Sequence, residues 1–94
     1  MSESVKYYAV FLTMKDEELS KQHRPAHLEF LKEERALGNI LMNGKFTDGS
    51  GGLVIYKASD DDALIELVEK DPYIKLKARN YEFHEWEMES DYQF

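Results

Sequence analysis

The stretch Gly38-Asn39-Ile40-Leu41-Met42-Asn43-Gly44-Lys45-Phe46-Thr47-Asp48-Gly49-Ser50-Gly51-Gly52-Leu53-Val54-Ile55-Tyr56-Lys57 decides the fold. Two apolar runs, Asn39 to Phe46 and Leu53 to Lys57, flank the turn-forming Asp48-Gly49-Ser50-Gly51-Gly52, so the stretch reads as two strands joined by a hairpin loop. A glycine-rich loop can also cradle phosphate. This one precedes a strand and lacks the Lys-Ser/Thr ending of a P-loop, so the plain turn is the better reading.

Upstream, Ala26 to Leu37 has the composition of a helix, with His27, Phe30, Leu31, Glu34 and Leu37 on one broad face. Pro25 suits the first helical position and Gly38 the stop. The proline argues for a break, leaving Asp16 to Lys21 as a separate helical turn. Downstream, Ser59-Asp60-Asp61-Asp62 reads as an imperfect capping box with Ser59 at the N-cap. Ala63, Leu64, Leu67 and Val68 then form the apolar stripe of a second helix, which Asp71-Pro72 ends because a residue before proline is pushed out of the α region. Val5 to Met14 at one end is a strand apolar on both faces, and Tyr81 to Met88 at the other alternates as a fourth strand.

The order is therefore β-α-β-β-α-β, an α+β fold of the ferredoxin-like kind with an antiparallel sheet. Right-handed crossovers are expected to set both helices on one sheet face, strands 1 and 3 side by side and parallel, and strand 4 antiparallel beside strand 1. Val5, Tyr7, Ala9 and Phe11 point one way and Tyr8, Val10, Leu12 and Met14 the other, so the face left without helices is still apolar. A second copy of the chain laid on that face would cover it, so a homodimer is expected.

Ninety-four residues without a Pro- or Ser-rich linker read as one domain over 1–94. Cysteine is absent, which excludes disulfides, thiolate zinc sites and thiol nucleophiles. No apolar stretch approaches a membrane span and the start of the chain lacks the pattern of a signal peptide, so a cytoplasmic protein with no membrane partner is expected. A net charge of -7 repels phosphate backbones. RNA-recognition motifs share this element order, but Gly51 to Lys57 lacks their basic-glycine-aromatic start, so no nucleic acid is expected.

The same topology brings the end of strand 1, the start of helix 1, the end of helix 2 and the start of strand 4 to one sheet edge. His27 and Asp71 are then neighbours. A carboxylate closing helix 2 faces that helix's partial negative charge and needs a partner from Lys70, Arg24 or a protonated His27. A carboxylate on one imidazole nitrogen fixes the tautomer and leaves the other nitrogen to move a proton, which is a general acid/base dyad. The bland alternative is a structural histidine and a helix stop. His23 and His27 are four apart, but Pro25 lies between them and no Glu follows His23, so neither a metal site nor any cofactor is expected. His84 reads as sheet packing or interface, and Ser50 as a turn residue. Tyr7, Tyr73 and Trp86 are candidates for an aromatic pocket, although such rings more often belong to a core.

Arg24-Pro25-Ala26-His27-Leu28, Gly38, Gly44, the Gly51-Gly52 pair, Asp71-Pro72-Tyr73 and Trp86, in that order and spacing, resemble the YCII-related (YciI-like) domain family. The resemblance implies a dimeric α+β barrel with His27 and Asp71 as the active-site pair. It is compatible with a lyase- or isomerase-like enzyme acting on a small cyclic or aromatic metabolite, with Arg24, Tyr7, Tyr73 and Trp86 as ligand contacts. The alternative is a module that binds or senses such a molecule without turnover.

Overall fold

Lys6–Met14 forms β1, and the two-residue alternation of a strand sorts its side chains between two environments. Tyr8, Val10 and Leu12 are buried beneath helices, at no more than 3% exposure, whereas Tyr7, Ala9 and Phe11 lie half-buried on the other face. The computed structural model describes residues 5–92, so most of the polar start, residues 1–4, lies outside it. The elements follow as α1 (Glu17–Leu37), β2 (Ile40–Lys45), β3 (Gly51–Ala58), α2 (Asp61–Val68), α3 (Pro72–Lys75) and β4 (Arg79–Trp86).

The sheet order is β2-β3-β1-β4, and every neighbouring pair is antiparallel. The parallel pairing expected for strands 1 and 3 is therefore wrong. A crossover through α1 returns the chain so that β2 runs with β1, and the tight hairpin then reverses it once more. Strand β3 thus meets β1 head to tail, with Val10 opposite Val54.

Helix α1 also departs from expectation, running unbroken through Pro25. An interior proline removes one backbone bond and costs about 3 kcal/mol. Pro25 and Lys21 are both exposed, so the backbone bond that the proline removes is lost at the surface and not in the core. Both ends are also anchored. The Asp16 carboxylate accepts the Leu19 N–H at 2.9 Å, and Gly38 closes the helix at φ 83, a conformation that glycine adopts without steric cost. Between the anchors, Ser20, His27, Phe30 and Leu31 are buried, which ties the segments on both sides of the proline to the body of the protein.

The N-cap of α2 is Asp60, one residue beyond the expected Ser59, and its carboxylate accepts the Ala63 N–H at 2.8 Å. The Tyr8 hydroxyl donates to the next acid, Asp61, at 2.8 Å and so links β1 to the start of this helix. The core is formed by Tyr8, Val10, Ile40, Val54, Tyr56 and Leu64, with Phe30, Leu31, Val68, Tyr73 and Ala78 closing it. On the opposite face, Trp86 pairs with Tyr7, and Met42 with Ile55. Phe46 stacks on Phe11 with ring centres 6.5 Å apart, and Met42, Phe46 and Trp86 remain exposed.

The backbones of β1 and β3 approach closely at Gly51. A Cβ at that residue would lie 1.9 Å from the Leu12 carbonyl oxygen, whereas one at Gly44 would meet nothing within 4 Å. Gly51→Ala is therefore expected to destabilise the fold by about 1 to 3 kcal/mol, the usual cost of forcing extra volume into a packed interior. Gly44→Ala should change stability by less than about 0.5 kcal/mol, as surface substitutions do. Urea denaturation of the two variants checks the contrast.

Candidate active site

Asp71 does not close α2, contrary to the sequence reading. It is the N-cap of the short helix α3, with Pro72 at the first helical position. Its Oδ1 accepts the Tyr73 N–H at 2.9 Å, so the carboxylate sits at a favourable helix terminus instead of an unfavourable one. The same oxygen accepts from His27 Nδ1 at 2.8 Å. Among the described residues neither Lys70 nor Arg24 pairs with it. Asp71 is fully buried and His27 nearly so, at 7% exposure.

A carboxylate can only accept, so Nδ1 carries the donated hydrogen and Nε2 is the nitrogen left for chemistry. The imidazole lies flat on the Tyr73 ring, with centres 3.8 Å apart and planes 11° from parallel. Burial pushes the Tyr73 phenol above its ordinary value, and Arg79 and then Arg24 partly oppose that rise. Two buried oxygens, Asp71 Oδ2 and the Tyr56 hydroxyl, have no hydrogen-bond partner among the described residues. Burial and then the nearby Asp71 carboxylate push the Tyr56 phenol upward.

His27 opens onto a cavity of about 460 Å³ between α1, the ends of β1 and β4, and the β2–β3 hairpin. Leu12, Leu28, Leu31 and Val54 give it apolar walls, and Arg24, Tyr73 and Arg79 supply polar ones. Of the residues singled out from sequence, His27, Arg24 and Tyr73 thus meet here, with Asp71 behind the imidazole.

Tyr7 and Trp86 do not. They line a separate, shallow depression with Val5 and Glu85 at the other end of β1. The cause is the strand period, since Tyr7 points away from the helices that Tyr8 packs against and Trp86 is its cross-strand partner. His84 is exposed and contacts Glu82 at 2.8 Å. Among the described residues, no group of three or more His, Cys, Asp or Glu converges as metal ligands would.

Sequence reasoning missed Ser20 and Arg79. Breaking the helix at Pro25 hid the spacing of Ser20, Arg24, His27 and Leu31, which share one face only if the helix is continuous. Arg79 Nε donates to Ser20 Oγ at 3.0 Å, and its guanidinium carbon lies 4.7 Å from the Tyr73 ring centre. Lys77, in the left-handed region at φ 63, turns the chain from α3 into β4 just before these residues. The Ala78 carbonyl joins the surrounding elements. It is within hydrogen-bonding distance of the Lys15 and Asp16 N–H groups, at 3.3 and 3.0 Å, and of the Ser20 hydroxyl at 3.3 Å.

The antiparallel four-stranded sheet with its helices on one face makes the chain an α+β domain of the ferredoxin-like kind. Residues 6–87 match the YCII-related domain, and the protein belongs to that family. It is similar to the uncharacterized Bacillus subtilis (strain 168) protein YjpA, 28% identical over 82 residues that cover 87% of this chain and 96% of that one. Its fold is similar to that of 5-chloro-2-hydroxyhydroquinone dehydrochlorinase (TftG) from Burkholderia phenoliruptrix, solved with 2,5-dihydroxybenzoquinone. The TM-score is 0.72 and the identity 20%, over 86% of this chain and 93% of that one.

The contact also has a stability consequence. His27→Ala strands a fully buried carboxylate with only the Tyr73 N–H, which should cost about 1 to 3 kcal/mol in chemical denaturation. Asp71→Asn keeps an oxygen for the Tyr73 N–H and should cost less than Asp71→Ala, which also loses a cap of about 1 kcal/mol.

Proposed function

We propose that this protein is a small-molecule enzyme in which Nε2 of His27, oriented by Asp71, moves a proton on a small cyclic or aromatic metabolite. The observation that carries the reading is the 2.8 Å His27–Asp71 contact at the wall of a largely apolar cavity. With Nδ1 held by the carboxylate, Nε2 accepts a proton from the ligand. The imidazolium so formed is stabilised by Asp71 at 2.8 Å, and the proton is then returned to a second atom of the ligand. An isomerase follows that scheme; in a lyase the electron pair left behind expels the leaving group instead, and the proton passes from Nε2 to that group or to water. The named reaction of the fold neighbour, a dehydrochlorination, also takes a proton and a leaving group from a ring, which supports the reading. The cysteine-free, acidic composition suits the cytoplasmic setting expected from the sequence.

Positioned acid/base groups contribute about 10²- to 10⁴-fold to rate. His27→Asn should therefore lower turnover at least about a hundredfold while ligand binding persists. Chloride release from 5-chloro-2-hydroxyhydroquinone, and conversion of any ligand that copurifies and is identified by mass spectrometry, are the measurements. A ligand recovered unchanged after prolonged incubation would favour the binding module, and turnover that survives His27→Asn would end the dyad's catalytic role.

The assembly is part of the proposal. Tyr7, Ala9, Phe11, Met42 and Trp86, with Phe46 stacked on Phe11, form an apolar sheet face that no helix among the described residues covers. A second copy, sheet against sheet, would cover it and build the α+β barrel. Light scattering is expected to report about twice the 11.0 kDa chain mass at micromolar concentration, and Phe11→Glu should shift the protein to single chains. A single-chain mass for the unaltered protein would overturn the barrel.

A further inference from the structure

The distribution of charge around the cavity runs against that of the chain. The protein carries 19 acidic and 12 basic residues, yet Lys21, Arg24, Lys45 and Arg79 line the cavity against one carboxylate, Glu17. Glu17 is itself engaged by Lys21 at 4.0 Å. Among the described residues, no carboxylate comes within ion-pair distance of Arg24, Lys45 or Arg79.

Arg79 differs from the other three because it is half-buried and held. Ser20 fixes its Nε at 3.0 Å, and the Tyr73 ring lies 4.7 Å from the guanidinium carbon. The remaining guanidinium N–H groups form a fork whose plane is set before any ligand arrives. A fixed guanidinium without a counter-ion, beside apolar walls, is matched by a planar anion that accepts two parallel hydrogen bonds. The His27 ring and the Arg79 guanidinium both pack on Tyr73, at 3.8 and 4.7 Å from its ring centre, and both line the same cavity.

We infer that the cavity takes a small ring bearing an ionised oxygen, a carboxylate or an acidic enol or phenol, with that oxygen seated on Arg79. The inference deepens the proton-transfer reading by naming its substrate class. If His27 removes a proton from a ring carbon, the electron pair left behind delocalises onto a ring carbonyl conjugated with the seated anion, and the proton stays on Nε2 until it passes to a second atom of the ring or to water. Arg79 thereby becomes the group that opposes the developing charge.

Anion seating is measurable without turnover. The probes are 2,5-dihydroxybenzoquinone, ionised at neutral pH, against its neutral dimethyl ether, and benzoate against benzamide, followed by titration calorimetry and amide NMR shifts. The ionised member of at least one pair is expected to bind about tenfold tighter or more, with shifts centred on Ser20, Tyr73 and Arg79. Arg79→Gln should weaken that anion by about 10- to 100-fold and leave the neutral compound unchanged, while Arg79→Lys keeps part of the preference. Equal binding of charged and neutral members, no binding of any probe, or a preference that survives in folded Arg79→Gln would each overturn the inference. The comparison of charged and neutral probes in the unaltered protein stands even if a variant misfolds. His27→Asn separates the two readings. Retained anion preference with unchanged turnover removes the proton shuttle alone, whereas lost turnover without any anion preference removes only the seat on Arg79.

Discussion

A carboxylate buried without compensation costs several kcal/mol, and the architecture around Asp71 is arranged to supply that compensation. Its Oδ1 receives one hydrogen bond from the first turn of α3 and one from the imidazole of α1, each under 3 Å. Through that single atom the middle of the longest helix is tied to the turn between α2 and β4. The stacking of His27 on Tyr73, the course of the chain through Lys77 and the placement of Arg79 all lie around this junction. Fold and site therefore share it: the bonds that make burial of Asp71 tolerable also fix which imidazole nitrogen faces the cavity.

The order of elements was legible because each carries a local signal: the glycine-rich turn, the apolar stripe at 63, 64, 67 and 68, and the dense β-branched run of β1. The sequence reading sets His27 and Asp71 at one sheet edge and the two side chains do touch, although His27 lies midway along α1 and Asp71 opens α3 instead of closing α2. Strand direction depends on the number of reversals: the crossover restores the direction of β1 in β2, and the hairpin inverts it again in β3.

The remaining differences have local causes that no short-range signal reveals. Proline reads as a break, but at an exposed position the lost bond lies at the surface, and tertiary packing outweighs a propensity of about 3 kcal/mol. Asp71 was read as the end of one helix because α3 is too short to show a period. Tyr7 and Trp86 share the aromatic character of Tyr73, and only the sheet register shows that they face the other way. Arg79 carried no signal at all, since a cation at the start of a strand is ordinary until its neighbours are known.

The carbonyl of Ala78 is a joint of a different kind. Three donors, from the end of β1, the cap of α1 and Ser20, gather on one main-chain oxygen just before Arg79 enters β4. Genetic surveys are blind to such an atom, because every replacement at residue 78 retains the carbonyl and any loss is charged to the buried methyl instead. Backbone chemistry reaches it: replacing the Ala78–Arg79 amide with an ester weakens that oxygen as an acceptor, and removes the Arg79 N–H with it, while every side chain stays as it was.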